Sequence, residues 1–292
     1  MRIVHTAADL APLAPRADDD ERGRRAVVMT MGALHEGHLA LVRAAREAAE
    51  HVVVTVFVNP LQFNDASDLE RYPRDLDADA ALLEPLGVDV LYAPSVEDVY
   101  PGGRPVVTVS AGEINDVLEG SHRPGHFDGV LTVVLKLMHL TRPDVAYFGQ
   151  KDAQQVIAIR TMCRDLNVPV EIEVVPTVRD ADGLALSSRN ARLSESERAD
   201  ALVLSRALGE AEQVIQEGGP LSLALTVARA ALAEVPDVVP DYVAAMDPAS
   251  ARVVEGDYRG EVVIAVAAHV GETRLIDNVM TRVGPREGAA EA

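Results

Sequence analysis

The sequence has no tryptophan, one cysteine in 292 residues, and only 3% aromatic side chains. A single thiol, Cys163, excludes an intrachain disulfide and a thiolate metal cluster. It lies in an amphipathic stretch and reads as a buried structural cysteine. So few aromatics leave little for stacking nucleic-acid bases. Positive charge is also scarce, with 27 Lys and Arg against 46 Asp and Glu and a net charge of −19. Polyanion binding needs clustered cations, so no nucleic-acid partner is expected and the acidity reads as a solubility feature. A small anionic ligand would need a local basic pocket. No apolar run approaches the roughly twenty residues that span a membrane. The opening MRIVHTAADLAPLAP lacks a basic segment followed by an apolar core, so no secretion signal is read there. The expectation is a cytoplasmic protein with no membrane partner.

Apolar residues make up 48% and charged residues 25%, an ordinary globular composition. The length suits one large domain or two ordinary ones. Short apolar runs, RIVH, RAVVMT, HVVVTVFV, VDVLYA, PDVAYF and VEIEVV, read as strands, several without alternation. That is the pattern of a parallel sheet covered on both faces. Between them GHLALVRAAREAAE, DLERYPRDLDADAALLEPLG, FDGVLTVVLKLMHL and DAQQVIAIRTMCRDL carry apolar residues at helical spacing. The alternation predicts an α/β fold with a doubly wound parallel sheet. After Pro176 the pattern changes. Helices are expected at about 194–217 and 221–234, then strands at DYVAAM, EVVIAVAA and TRLIDNV. Clustered helices followed by clustered strands predict a smaller α+β C-terminal domain. The expected division is 1–176 and 177–283, with 284–292 a disordered tail. No internal repeat is evident, and the charged stretch RADDDERGRR is expected to be a loop.

The stretch MTMGALHEGH, residues 29 to 38, follows an apolar run and precedes a helical stripe. It therefore falls at the carboxyl end of a strand, where doubly wound sheets bind ligands. Backbone N–H groups at a helix N-terminus favour phosphate. His35 and His38, three apart, can meet one ligand, and Gly32 and Gly37 allow close backbone approach. On this stretch alone a helix cap with incidental histidines is an equally good reading. A zinc site is a poorer one, because two histidines lack a third ligand nearby. Lys151 in FGQKDAQQ directly follows another strand, and LALSSRN, residues 184 to 190, supplies hydroxyls and a guanidinium. Singly, Lys151 reads as a solvated lysine and Arg189 as half of a surface ion pair. Jointly with HEGH they form a set suited to gripping phosphate.

Seven stretches then make the pattern specific: TMGALHEGH, VTVFVNPLQFN, YPRDLDAD, RPGHFDGVLTVVLKL, FGQKDAQQ, VPTVRDADGLALSSRN and GETRLIDN. On these residues the chain resembles the pantoate–β-alanine ligases, the pantothenate synthetase family of the HxGH nucleotidyltransferase superfamily, with its Rossmann-like sheet. The stretches run in family order from residue 30 to 278. Two positions depart from the family pattern: Met29 stands where Pro is usual before TMG, and Leu186 where Met is common. The resemblance implies ATP-driven amide formation through pantoyl adenylate, with Mg2+ on the phosphates, no protein metal site, a homodimer, and a second domain that closes as a lid.

Carried over residue by residue, the resemblance makes Met31, Gly32, Ala33, Leu34, His35, Glu36, Gly37 and His38 the ATP-binding turn. His38 would be the proton donor and His35 its partner. It also implies nucleotide contacts from Gly149, Gln150, Lys151 and Asp152, with Lys151 at the phosphates and Asp152 at the ribose. Val178, Leu186, Ser187, Ser188 and Arg189 would close on the nucleotide. Gln62 and Gln155 would bind pantoate, with Gln62 also at the β-alanine position. Neutral amides can orient a carboxylate without quenching its attack, as a bidentate Arg would. Tyr72 and Arg74 are open between site entrance and helix surface, and His126 leans to a site role. His5, His51, His122, His139 and His269 read as structural or surface residues. Two other classes, an adenylyltransferase whose product retains AMP and a non-catalytic nucleotide sensor, differ in the products formed from ATP.

Overall fold

A computed structural model describes residues 1–14 and 23–284; the expected tail beyond Gly284 and most of the charged loop before Arg24 lie outside the described residues. The chain divides into two units. One comprises Met1–Gln150 with Ala158–Pro176; the other takes Lys151–Ile157 and the chain from Thr177 onward.

Among the described residues the first unit carries six strands: β1 (Arg2–Val4), β2 (Arg25–Thr30), β3 (His51–Val56), β4 (Val90–Tyr92), β5 (Val145–Gly149) and β6 (Glu171–Val175). They pair in parallel in the order β1-β4-β3-β2-β5-β6. The unbroken apolar runs are explained by this sheet, since β2 and β3 bury both faces. From β2 the chain moves one way to β3 and β4, then returns to place β5 on the other side. The strand order therefore reverses between β2 and β5, the switch point at which such sheets bind ligands.

The helices that accompany this sheet are α1 (Ala7–Leu10), α2 (Glu36–Ala48), α3 (Ala66–Arg71), α4 (Leu76–Leu83), α5 (Val96–Val99), α6 (Glu119–His122), α7 (His126–Thr141) and α8 (Ala153–Asp165). Leu41, Val42 and Ala45 of α2 and Leu83 of α4 pack on Ala26, Val28, Val52 and Val54. The stretch 68–87, expected to be one helical segment, is instead broken after Arg71. Tyr72 precedes Pro73, whose ring disfavours helical backbone at the residue before it, and it sits at φ −64°, ψ 125°. The chain restarts at Asp75, whose carboxylate caps α4 by accepting from Ala78 N at 3.0 Å. The four-residue helices α1, α5 and α6 are too short to leave a periodic signal in the sequence.

In the second unit α9 (Glu195–Gln216) and α10 (Leu221–Ala233) pack on β7 (Val238–Met246), β8 (Val253–Val254), β9 (Gly260–Val270) and β10 (Thr273–Val283). The sheet is antiparallel in the order β10-β9-β7-β8. The stretch LSESE gives α9 a capping box: Ser194 N donates to Glu197 Oε2 at 2.8 Å, and Glu197 N to Ser194 Oγ at 3.3 Å. β9 and β10 form a hairpin of two eleven-residue strands, longer than the expected runs, and β8 is a further strand that the pattern does not indicate.

Cys163 is buried, as its amphipathic setting predicts, and burial pushes its thiol up from 9.0 to about 11. Between those values the folded chain keeps a proton that the unfolded chain releases. This contribution to stability is therefore intact below 9.0 and is lost as pH rises toward 11. Iodoacetamide near pH 8 should label the native chain far more slowly than the denatured chain, since the thiolate is the reactive form; equal labelling rates would contradict the burial.

Candidate active site

The turn after β2 is held by backbone geometry and one buried carboxylate. Thr30 Oγ1 donates to Thr55 O at 2.9 Å and accepts from Gly32 N at 3.1 Å. Gly32 (φ +83°) and Ala33 (φ +51°) both adopt left-handed backbone. They bring Ala33 N and Leu34 N onto the Asp79 carboxylate at 3.2 and 2.8 Å. Asp79, on α4, is only 3% exposed. Burial raises its carboxyl above the usual range, and the two N–H bonds oppose that rise. A Cβ at Gly32 would lie 2.8 Å from Asp79 Oδ2 and 3.0 Å from Val56 Cγ1, so both conformation and space call for glycine.

The histidines begin α2. His35 is the N-cap, in extended backbone, and its Nδ1 accepts from Gly37 N at 3.2 Å. His38 Nδ1 accepts from His35 N at 3.3 Å, closing a reciprocal capping box. The rings lie 4.1 Å apart, tilted by 41°. With each Nδ1 accepting, the neutral rings carry their proton on Nε2, which makes Nε2–H a donor on both. The cap reading is therefore correct structurally, and it leaves the chemistry of the imidazoles intact. Glu36 is exposed and pairs with Arg43.

Gln62 ends a short turn, Pro60–Gln62, capped by Asn59. Asn59 is 1% exposed. Its Nδ2 donates to Gln62 Oε1 (3.0 Å) and Gly129 O (3.1 Å), and its Oδ1 accepts from Tyr100 OH (2.9 Å). The Gln62 amide donates to Met31 Sδ at 3.1 Å, so these two expected site residues meet. His126 is buried with Nδ1 2.9 Å from Gln62 O, and Arg123 also donates to that carbonyl. The structure thus ties His126 to the Gln62 backbone. Tyr72 is buried edge-on to Phe63, and Arg74 donates to the Leu69 and Tyr72 carbonyls, which gives both a structural part.

In the second unit Lys151 lies in the turn Gln150–Asp152 that follows β5, with Nζ 4.0 Å from the exposed Asp152. Gln155, partly exposed on α8, comes one helical turn later. Leu186 N donates to Val178 O at 3.0 Å, which joins two more expected residues. Ser187 Oγ accepts from Arg189 N at 3.2 Å and caps the turn Ser188–Arg192. Gly149, at the end of β5, has open space where a Cβ would stand. Sequence reasoning missed Asp79, Asn59 and Tyr100. The Asn-Pro pair at 59–60 is a turn signal that could have found Asn59; nothing distinguishes Asp79 from its neighbours Asp75 and Asp77 in the sequence.

The sheet reverses its strand order beside β2, and the HEGH turn stands at that strand's carboxyl end, the edge at which such sheets bind ligands. A family model for pantoate–β-alanine ligase matches residues 2–280. A pantothenate synthetase of Streptomyces avermitilis is 50% identical over 312 aligned residues, covering 90% of this chain and 94% of the relative. The crystal structure of pantothenate synthetase from Thermus thermophilus is 48% identical, with TM-score 0.89, over 96% of this chain and 99% of that one. A pantoate–β-alanine ligase from Francisella tularensis, solved with β-γ ATP and β-alanine, is 33% identical, with TM-score 0.77, over 96% and 97%. The chain belongs to the pantoate–β-alanine ligase family.

Gly32→Ala should lower unfolding stability by about 1–3 kcal/mol, the range for a non-glycine residue forced into left-handed backbone, and crowding against Asp79 adds to this. Urea denaturation would measure it; an unchanged midpoint and slope would show that the turn adapts freely.

Proposed function

We infer that this chain condenses pantoate with β-alanine, using ATP and forming pantothenate, AMP and pyrophosphate. The observation that carries the reading is the HxGH turn of a family member, with both imidazole Nδ1 atoms accepting from backbone N–H groups. The pantoate carboxylate attacks the α-phosphorus of ATP. An oxygen–phosphorus bond forms as the bond to pyrophosphate breaks, giving pantoyl adenylate. The amine of β-alanine then attacks the acyl carbon, loses a proton, and displaces AMP.

In this scheme Met31, Gly32, Ala33, Leu34, Glu36 and Gly37 shape the nucleotide turn. His38 donates a hydrogen bond to phosphate oxygen as charge develops, with His35 beside it. Lys151 supplies the fixed cation for the leaving pyrophosphate, and Ser187, Ser188 and Arg189 add donors. Gly149, Gln150 and Asp152 contact the nucleoside, and Val178 and Leu186 flank the base. Gln62 and Gln155 orient pantoate, and Gln62 also meets β-alanine. The complex of the Francisella relative with an ATP analogue and β-alanine supports these substrates.

Mg2+ is assigned to the phosphate oxygens. Mg2+ dehydrates reluctantly and is commonly held through substrate phosphates with few protein ligands. When bound it neutralises phosphate charge. No described helix is long and apolar enough to cross a membrane. A homodimer in the cytoplasm completes the proposal, the oligomer being open to sedimentation analysis.

The adenylation half should run alone. With ATP, Mg2+ and pantoate but no β-alanine, labelled pyrophosphate should exchange into ATP; exchange that requires β-alanine would rule out a separable adenylate. His38→Ala should reduce this exchange by roughly two to four decades with little loss of stability beyond the about 1 kcal/mol of a missing cap. Near-normal exchange would remove the role given to His38. Gln155→Ala should weaken pantoate in calorimetry much more than an ATP analogue, because only pantoate loses an amide partner. Equal weakening would make Gln155 a support for the Lys151 turn instead.

A further inference from the structure

The stretch GETRLIDN carries family likeness without a role so far, and two of its residues are buried polar groups on β10. Asp277 is 3% exposed and Asn278 is 5% exposed. Consecutive residues of a strand face opposite sides of the sheet, so the pair reaches two different segments. On one side the Asp277 carboxylate accepts from both terminal nitrogens of Arg179, at 2.6 and 3.0 Å. Arg179 also donates to Gly183 O at 3.1 Å and bridges to Ala185. It thereby fixes the short hairpin that leads into Ser187, Ser188 and Arg189. Asn190 Nδ2 donates back to Ala185 O at 3.0 Å, tying the far end of the same loop. On the other side Asn278 Nδ2 donates to Lys151 O at 2.8 Å. Asn278 N in turn donates to Asp277 Oδ1 at 2.8 Å, which couples the two grips.

We propose that Asp277 and Asn278 are positioning residues for adenylation, one strand holding the backbone of Lys151 and the hairpin before Ser187–Arg189 in a common frame. The proposal rests on the phosphate-binding roles given above to Lys151, Ser187, Ser188 and Arg189. The physical case is one of tolerance: a displacement of about 1 Å in a charge-stabilising group can lower a rate a hundredfold. Lys151 stands in the middle of a three-residue turn. The Asn278 bond ties the backbone of that turn to β10. A bidentate guanidinium–carboxylate pair likewise fixes direction as well as distance, which suits a loop that must present two hydroxyls and a cation together.

The test is pyrophosphate–ATP exchange with pantoate, on the full-length enzyme. Asn278→Ala should lower exchange about tenfold or more, with melting temperature and pantoate affinity close to the parent. Asn278→Asp keeps the side chain's size but replaces the donor with a carboxylate oxygen, so it should show at least the same loss, and it serves if the alanine variant fails to fold. The decisive readout is coupling. Added to Lys151→Ala, either Asn278 variant should cause no further loss, because the group it positions is already gone. Asp277→Asn should behave in the same way toward Arg189→Ala. Full exchange per folded molecule in both Asn278 variants, or losses that multiply with Lys151→Ala, would overturn the positioning role while leaving Lys151 in place. If Lys151→Ala itself exchanges normally, the reading of Lys151 falls and this proposal falls with it.

Discussion

A carboxylate in the interior is stable only if something replaces the water it has lost. For Asp79 the replacements are two backbone N–H groups, Ala33 and Leu34, and the geometry of the strand-to-helix turn follows from that one pairing. To aim both N–H groups at one anion, Gly32 and Ala33 must be left-handed, and Gly32 can carry no side chain. The chain then leaves the turn with His35 in extended backbone, poised as the N-cap, and His38 falls one turn along α2 beside it. Strand–helix turns of this kind commonly offer their N–H groups to phosphate. Here two of them are already bound to an internal anion, the Asp79 carboxylate.

The capping box and the two histidines of the HEGH turn are the same residues. In most helices a Ser or Asp would serve the N-cap, since either accepts an N–H bond with less bulk. Imidazole can do so through Nδ1 and still offer a donor from the other end of the ring, which no hydroxyl or carboxylate in that position provides. Asn59 does comparable double duty, capping the Pro60–Gln62 turn while its amide fixes the Gln62 oxygen. A buried amide with partners at both ends has one arrangement, and so does the glutamine attached to it.

Much of this is legible where the signals are local. Short apolar runs, several without alternation, mark the six parallel strands, S-x-x-E stands at the start of α9, and HEGH marks a strand–helix turn at the ligand-binding edge of the sheet. Where the reading fails, the cause is a competing rule or a long-range partner. Pro73 breaks a stretch whose helical spacing looks continuous, although the restriction on the residue before proline was there to be applied. Asp79 cannot be singled out, because its partners lie 46 and 45 residues earlier in the chain. Asp277 and Asn278 are visible only as part of a motif; their meaning depends on Arg179 and Lys151, 98 and 127 residues earlier.

β10 is an edge of the antiparallel sheet, bonded to β9 along its whole length and, among the described residues, to no strand on its other flank. An open flank of eleven residues is a template on which another chain can add a strand, the first step in aggregation. Natural sheets guard such edges with charge and with covering loops. Arg274, Asp277, Asn278 and Arg282 punctuate β10, and the Ser188–Arg192 turn lies against it. The side chains that tie the Arg179 hairpin and the Lys151 turn to β10 therefore also make this edge an unwelcoming surface for a second strand.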